Sequence, residues 1–159
     1  MNIEDLLIVG DDQIDYTALD TATLLRLATQ EEEPYVATSA LGQLGARRDP
    51  EVLVACTSVL DRELWDPHLY AFALTTLFGI EHSKAFARMQ HLLDTTNETI
   101  LINAMAECVA SDFDYFDHGP PRAFAGALAA RLLSTSTADD SAQDDRTAVL
   151  ARYGPNRVA

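Results

Sequence analysis

Between Asp112 and Asp117 three aspartates alternate with three aromatic rings, in the order Asp112, Phe113, Asp114, Tyr115, Phe116, Asp117, followed by His118, Gly119, Pro120 and Pro121. Carboxylates pair with lysine or arginine while neighbouring rings cover the aliphatic stems, so this composition suits the grip of a cationic surface. The same residues admit a plainer use, in which Phe113, Tyr115 and Phe116 close a core and the aspartates stay in water. Both readings remain open from the sequence. Calcium fits poorly, because the run lacks the glycine and terminal glutamate of an EF-hand loop. His68, His82, His91 and His118 contain no pair at the four-residue spacing that sets two imidazoles on one helix face, so no metal site is expected. Cys56 and Cys108 lie within apolar helical runs, where a thiol behaves as a small hydrophobe and not as a nucleophile. No catalytic residue and no cofactor is expected.

The elements that would position such residues repeat. Val36, Ala40, Leu41 and Leu44 share their spacing with Leu69, Ala73, Leu74 and Leu77, and with Ile100, Ala104, Met105 and Cys108, the frames standing 33 and then 31 residues apart. A period of this length belongs to stacked helical hairpins. If the second helix of each hairpin lines a concave face, three rows cross the stack: Tyr35, His68 and Thr99; Ser39, Phe72 and Asn103; Gln43, Thr76 and Glu107. These rows mix polar groups with rings, the combination expected of a protein-binding surface. Phe72 stands in an otherwise polar row, and either packs against Trp65 or a neighbouring helix or meets a partner. Trp65 and Asp66, between helices, form a smaller candidate of the same type.

Start and stop signals divide the chain further. Ile3 to Val9 reads as a short helix or irregular cap, and Thr21 or Thr23 caps a helix carrying Leu24, Leu25, Leu27 and Ala28. Glu31, Glu32 and Glu33 lead to Pro34, which opens a helix ending near Gly45. Asp49 with Pro50, and Asp66 with Pro67, each pair a capping carboxylate with a proline in the first turn, and Gly79 is expected to stop the helix after Pro67. Further helices are expected over about 83–94 and 97–110, then from Pro121 to about Leu133 and from Ser141 to about Arg152. The two prolines break helix within the 111–121 segment. Lys84, Ala85, Phe86 and Ala87 recur as Arg122, Ala123, Phe124 and Ala125, which marks a fourth, degenerate unit.

The run Tyr35, Val36, Ala37, Thr38, Ser39, Ala40, Leu41, Gly42, Gln43, Leu44, Gly45 resembles the second helix of a HEAT repeat, with Asp49 and Pro50 where that family begins its next repeat. Ala37 stands where an arginine often follows the valine. The resemblance covers roughly residues 20–110 and implies an all-α fold, a right-handed α-solenoid of about four stacked hairpins. On this reading 1–159 is one domain: 1–19 an N-terminal cap, 20–110 clear repeats, 111–121 an acidic aromatic loop and 122–153 a degenerate hairpin. HEAT-like proteins are mostly binding scaffolds, although the resemblance also reaches a few lyases and alkyl-base DNA glycosylases.

Charge narrows these options. The net charge is −14, and residues 1–80 hold 14 acidic and four basic side chains, a net of −10, against −4 for the remainder. Nucleic-acid affinity draws on lysines and arginines that displace counterions from phosphates, so no nucleic-acid partner is expected. A basic protein would be steered toward such a field. Acidity that merely keeps the chain soluble is the plain alternative. Glu4 and Asp5 stand where a secretory signal would be basic, and no apolar run approaches the ~20 residues of a membrane span. With two isolated cysteines, a cytoplasmic setting follows. The combined expectation is a non-catalytic binding module, foremost a bacterial immunity protein that occludes a cationic toxin domain through Phe72, Tyr115 or Phe116. The alternatives are an adaptor scaffold, or a HEAT-like lyase with a coloured ligand near Tyr35, His68 or Cys108.

Overall fold

A computed structural model describes residues 2–63 and 66–155, and among these the chain is helical with no strand. Trp65 lies outside the described residues. The chain divides into two units, Met1–Ile80 and Glu81–Ala159.

The first unit contains α1 (Ile3–Val9), 3-10 turns at Asp11–Gln13 and Tyr16–Ala18, α2 (Thr21–Ala28), α3 (Pro34–Ala46), α4 (Glu51–Leu60) and α5 (Pro67–Ile80). Two of these starts, those of α2 and α5, have an aspartate as acceptor. The α2 cap is Asp20, whose carboxylate accepts from the Thr23 amide at 2.7 Å, in place of the expected threonines. An aspartate one residue earlier already satisfies that amide. Thr21 instead donates its hydroxyl to Asp49. Pro34 opens α3 with no side-chain cap at Glu33, and Gln30 braces the turn before it, accepting from the Glu32 and Glu33 amides and donating to the Glu33 carbonyl. Asp66 accepts from the Leu69 amide at 2.8 Å with Pro67 first in α5, as that Asp-Pro pair predicts, whereas α4 starts one residue later than expected, at Glu51, with Pro50 before it and Asp49 accepting from the Glu51 amide at 3.0 Å. Helix α5 runs through Gly79 to Ile80. A glycine ends a helix when it turns left-handed, and Gly79 is not among the positive-φ residues.

Within this unit α2 packs on α3 and α4 on α5, while α3 also meets α5 and α2 meets α4. The repeat residues Val36, Ala40, Leu41, Leu44, Leu69, Ala73, Leu74 and Leu77 are all buried. The second unit contains α6 (His82–Thr95), α7 (Thr99–Ser111), α8 (Phe113–Phe116), α9 (Gly119–Leu133) and α10 (Asp140–Tyr153). Its pairs match: α6 with α7, α9 with α10, α6 with α9 and α7 with α10. Leu101, Ile102, Met105, Cys108, Leu128 and Val149 fill its core. Ile100, the first residue of the third frame, is only half-buried.

Within each unit one arginine joins two helices in the same way. Arg62, just beyond α4, donates to the Thr29 carbonyl at the end of α2, and Arg131, in the last turn of α9, donates to the Thr96 carbonyl at the end of α6. Helix C-termini leave carbonyls unpaired and favour a cation there. These clamps tie neighbouring hairpins where Ala37 provides no arginine.

Candidate functional site

Helix α3 borders two hollows of the first unit. The first, of about 430 Å³, is lined by Leu7, Ile8, Gly10, Asp11, Asp12, Glu33, Tyr35 and Val36. Gly10, at φ +85°, lets the chain leave α1 and turn directly into the Asp11–Gln13 turn, a backbone state that favours glycine. Asp11 is fixed by the Tyr16 hydroxyl, which donates to it at 2.6 Å, while Asp12 and Glu33 stand exposed. Burial, and then this bond to Asp11, raises the Tyr16 phenol above its usual range. Ile8 is 83% and Tyr35 74% exposed, high values for side chains of this size. An apolar floor with an exposed ring and three carboxylates at its rim suits the stem and head of a lysine or arginine.

The second hollow, of about 650 Å³, lies among α3, α4 and α5. Phe72 and Thr76 both line it, and Phe72 is 37% exposed with its ring laid against Gly42. The Phe72 ring thus packs on a neighbouring helix and keeps an open edge. Ser39 and Gln43 are half-buried on α3. Asp66 is occupied as the α5 cap, and His68 is exposed on the first turn of that helix.

The Asp112–Asp117 segment is mostly used internally. Asp112 caps α8 through the Tyr115 amide and meets His82 Nε2 at 3.0 Å. Phe116 is fully buried among Phe86, Phe124 and Tyr115, which leaves it no face for a partner. Asp117 binds Arg152 through both carboxylate oxygens and accepts from the Tyr153 hydroxyl at 2.8 Å. The Arg152 guanidinium holds the Asp117 carboxyl well below the usual carboxylate range, and Tyr153 is pushed up to about 12 by burial and by Asp117. Arg152 also lies 4.8 Å over the Phe113 ring. Asp114 alone among the three aspartates is exposed, and Tyr115 is half-buried against His82 and Phe86. Nor do Pro120 and Pro121 break helix: they occupy the first turn of α9, where a missing amide costs nothing.

In the second unit Asn103 donates to Thr137 and accepts from Arg146, so its amide is spent joining α7 to α10. Glu107 titrates above the usual range through burial and the nearby charge of Asp145. Burial pushes the Cys56 thiol up to about 12 and raises Cys108 further. Among the described residues no group of three or more histidine, cysteine or acidic side chains is placed to hold a metal, and no helix is long and apolar enough to cross a membrane.

The residues missed from sequence are Leu7, Ile8, Asp11, Asp12 and Glu33 in the first hollow and Gly42, Arg48, Leu53 and Ile80 in the second. The doublet after Gly10 and the triplet before Tyr35 were visible as acidic runs, but nothing local brings them together. Compared with family models, curated proteins and solved structures, the chain matches none of them.

Proposed function

We propose that this chain is a non-catalytic protein-binding module that captures a basic partner on the acidic hollow of its first unit. The observation that carries the reading is the exposure of Tyr35 and Ile8 between Asp11, Asp12 and Glu33. The field of the unit supports it. Residues 1–80 have a net charge of −10, and two of their four arginines are committed to carbonyls: Arg47 to Tyr16, Thr17 and Leu19, and Arg62 to Thr29. Such a field accelerates encounter with a cationic surface, after which the ring and the aliphatic floor bury the partner's stems.

The helix pairs found within each unit support HEAT-like hairpins as the scaffold. Within that frame the most specific reading is an immunity protein that neutralises a basic toxin domain by occluding it in the cytoplasm. The test is capture of the product of the neighbouring gene by the wild-type chain and by an Asp11→Asn, Asp12→Asn, Tyr35→Ala variant. A basic protein retained by the wild type, released by salt and lost from the variant is expected. Equal retention by both, or a partner that is not basic, overturns the reading.

A further inference from the structure

The groove among α3, α4 and α5 has a chemistry unlike the rest of the first unit, and it does not depend on the acidic hollow. Its volume of about 650 Å³ falls within the roughly 300–1,000 Å³ of small-molecule sites. Its walls are Leu41, Val52, Leu53, Phe72 and Ile80, and glycines of α3 and α5 keep it open. A Cβ built at Gly79 meets no atom within 4 Å.

Two charged side chains reach this groove, and they differ in state. Asp49 is engaged by the Thr21 hydroxyl and the Glu51 amide, which hold its carboxyl below the usual range. Arg48 is exposed, and its guanidinium has no hydrogen bond or ion pair among the described residues. Its backbone is also unusual. The Arg48 amide bonds to the Gly45 carbonyl and the Asp49 amide to the Leu44 carbonyl, a Schellman ending whose left-handed position normally holds glycine. Arg48 occupies that position at φ +54°. An arginine kept where glycine is favoured, at the mouth of an apolar groove and without a partner of its own, is a strained residue with a use to be found.

We propose that this groove binds an amphipathic monoanion, a small carboxylate with a flexible apolar chain, whose head pairs with Arg48 and whose tail lies on Phe72, Leu53 and Ile80. The guanidinium fork matches a carboxylate, and the tail covers apolar surface otherwise left in water.

The test uses decanoate as the probe in calorimetric titrations of the full chain, with decanol as its uncharged counterpart and acetate as the head without a tail. Saturable one-site binding of decanoate is expected, with decanol and acetate at least tenfold weaker. Arg48→Gly relieves the left-handed backbone, so its Tm should hold or rise while decanoate weakens at least tenfold and decanol does not change. Gly79→Leu fills open space and should block both ligands without lowering Tm. Non-saturating decanoate, equal affinity for decanol, or wild-type affinity in either variant overturns the proposal. So does preferential binding of an apolar peptide by its C-terminal carboxylate.

Discussion

Phe116→Ala separates a core ring from a docking ring. Phe116 is fully buried, with ring centroids 6.3 Å from Phe86, 6.1 Å from Phe124 and 5.1 Å from Tyr115. Truncating a buried phenylalanine removes its transfer free energy and leaves a cavity, together costing about 3–5 kcal/mol. Domains are stable by about 5–15 kcal/mol, so the loss is a large share of the total. Phe72, 37% exposed and resting on a glycine face, should lose only about 1–2 kcal/mol, because it buries part of its ring and leaves an open hollow. Urea denaturation of both variants, followed by far-UV circular dichroism with m-values compared, measures the difference. Binding of the captured partner at a temperature where both variants are folded should be unaffected by Phe116→Ala. A Phe116→Ala protein of near wild-type stability, or one that is stable yet fails to bind, refutes the assignment of this ring to the core.

Asp117 sets an acid-sensitive contact. Because Arg152 holds its carboxyl below the usual range in the folded chain, protons bind the unfolded chain more readily. The contribution is complete above the ordinary carboxylate value of about 3.9 and is lost as pH falls toward the folded one. Asp117→Asn should therefore flatten the fall in urea midpoint between about pH 5 and pH 2.5, and an unchanged slope contradicts this. Arg62→Ala should cost about 1–3 kcal/mol by orphaning the Thr29 carbonyl, with Arg62→Lys restoring only part because lysine lacks the fork; calorimetric Tm values check both. Burial raises Cys56 to about 12, so iodoacetamide should leave Cys56 and Cys108 unmodified at pH 8 until denaturant is added, as read by intact mass. Rapid labelling of the native chain would contradict that.

Local signals carried most of the secondary structure. Pro34 and Asp66 with Pro67 act within one turn of themselves and begin α3 and α5 where expected, while α4 begins one residue past Pro50. Where two signals compete, the sequence does not say which wins: Asp20 caps α2 in place of Thr21 or Thr23, and Gly79 continues α5 because its backbone stays right-handed. The acidic aromatic segment shows the larger gap. Its composition fits a binding loop, but Arg152 and Tyr153, 35 and 36 residues away, reach Asp117, and Phe86 and Phe124 enclose Phe116. Those partners are set by tertiary packing. The first hollow was hidden for the same reason, since Asp11 and Asp12 meet Tyr35 only after the chain turns at Gly10. Phe72 and Thr76, four residues apart on α5, line one hollow because helical periodicity sets them on one face.

The most direct test of the account is the association rate of the captured partner as a function of ionic strength, measured by stopped flow for the wild type and for Asp11→Asn, Asp12→Asn, Glu33→Gln. The account predicts a wild-type rate that falls steeply with salt, a shallower dependence for the variant, and convergence of the two at high salt. Identical salt dependences, or an association rate that rises with salt, would contradict capture through the acidic hollow.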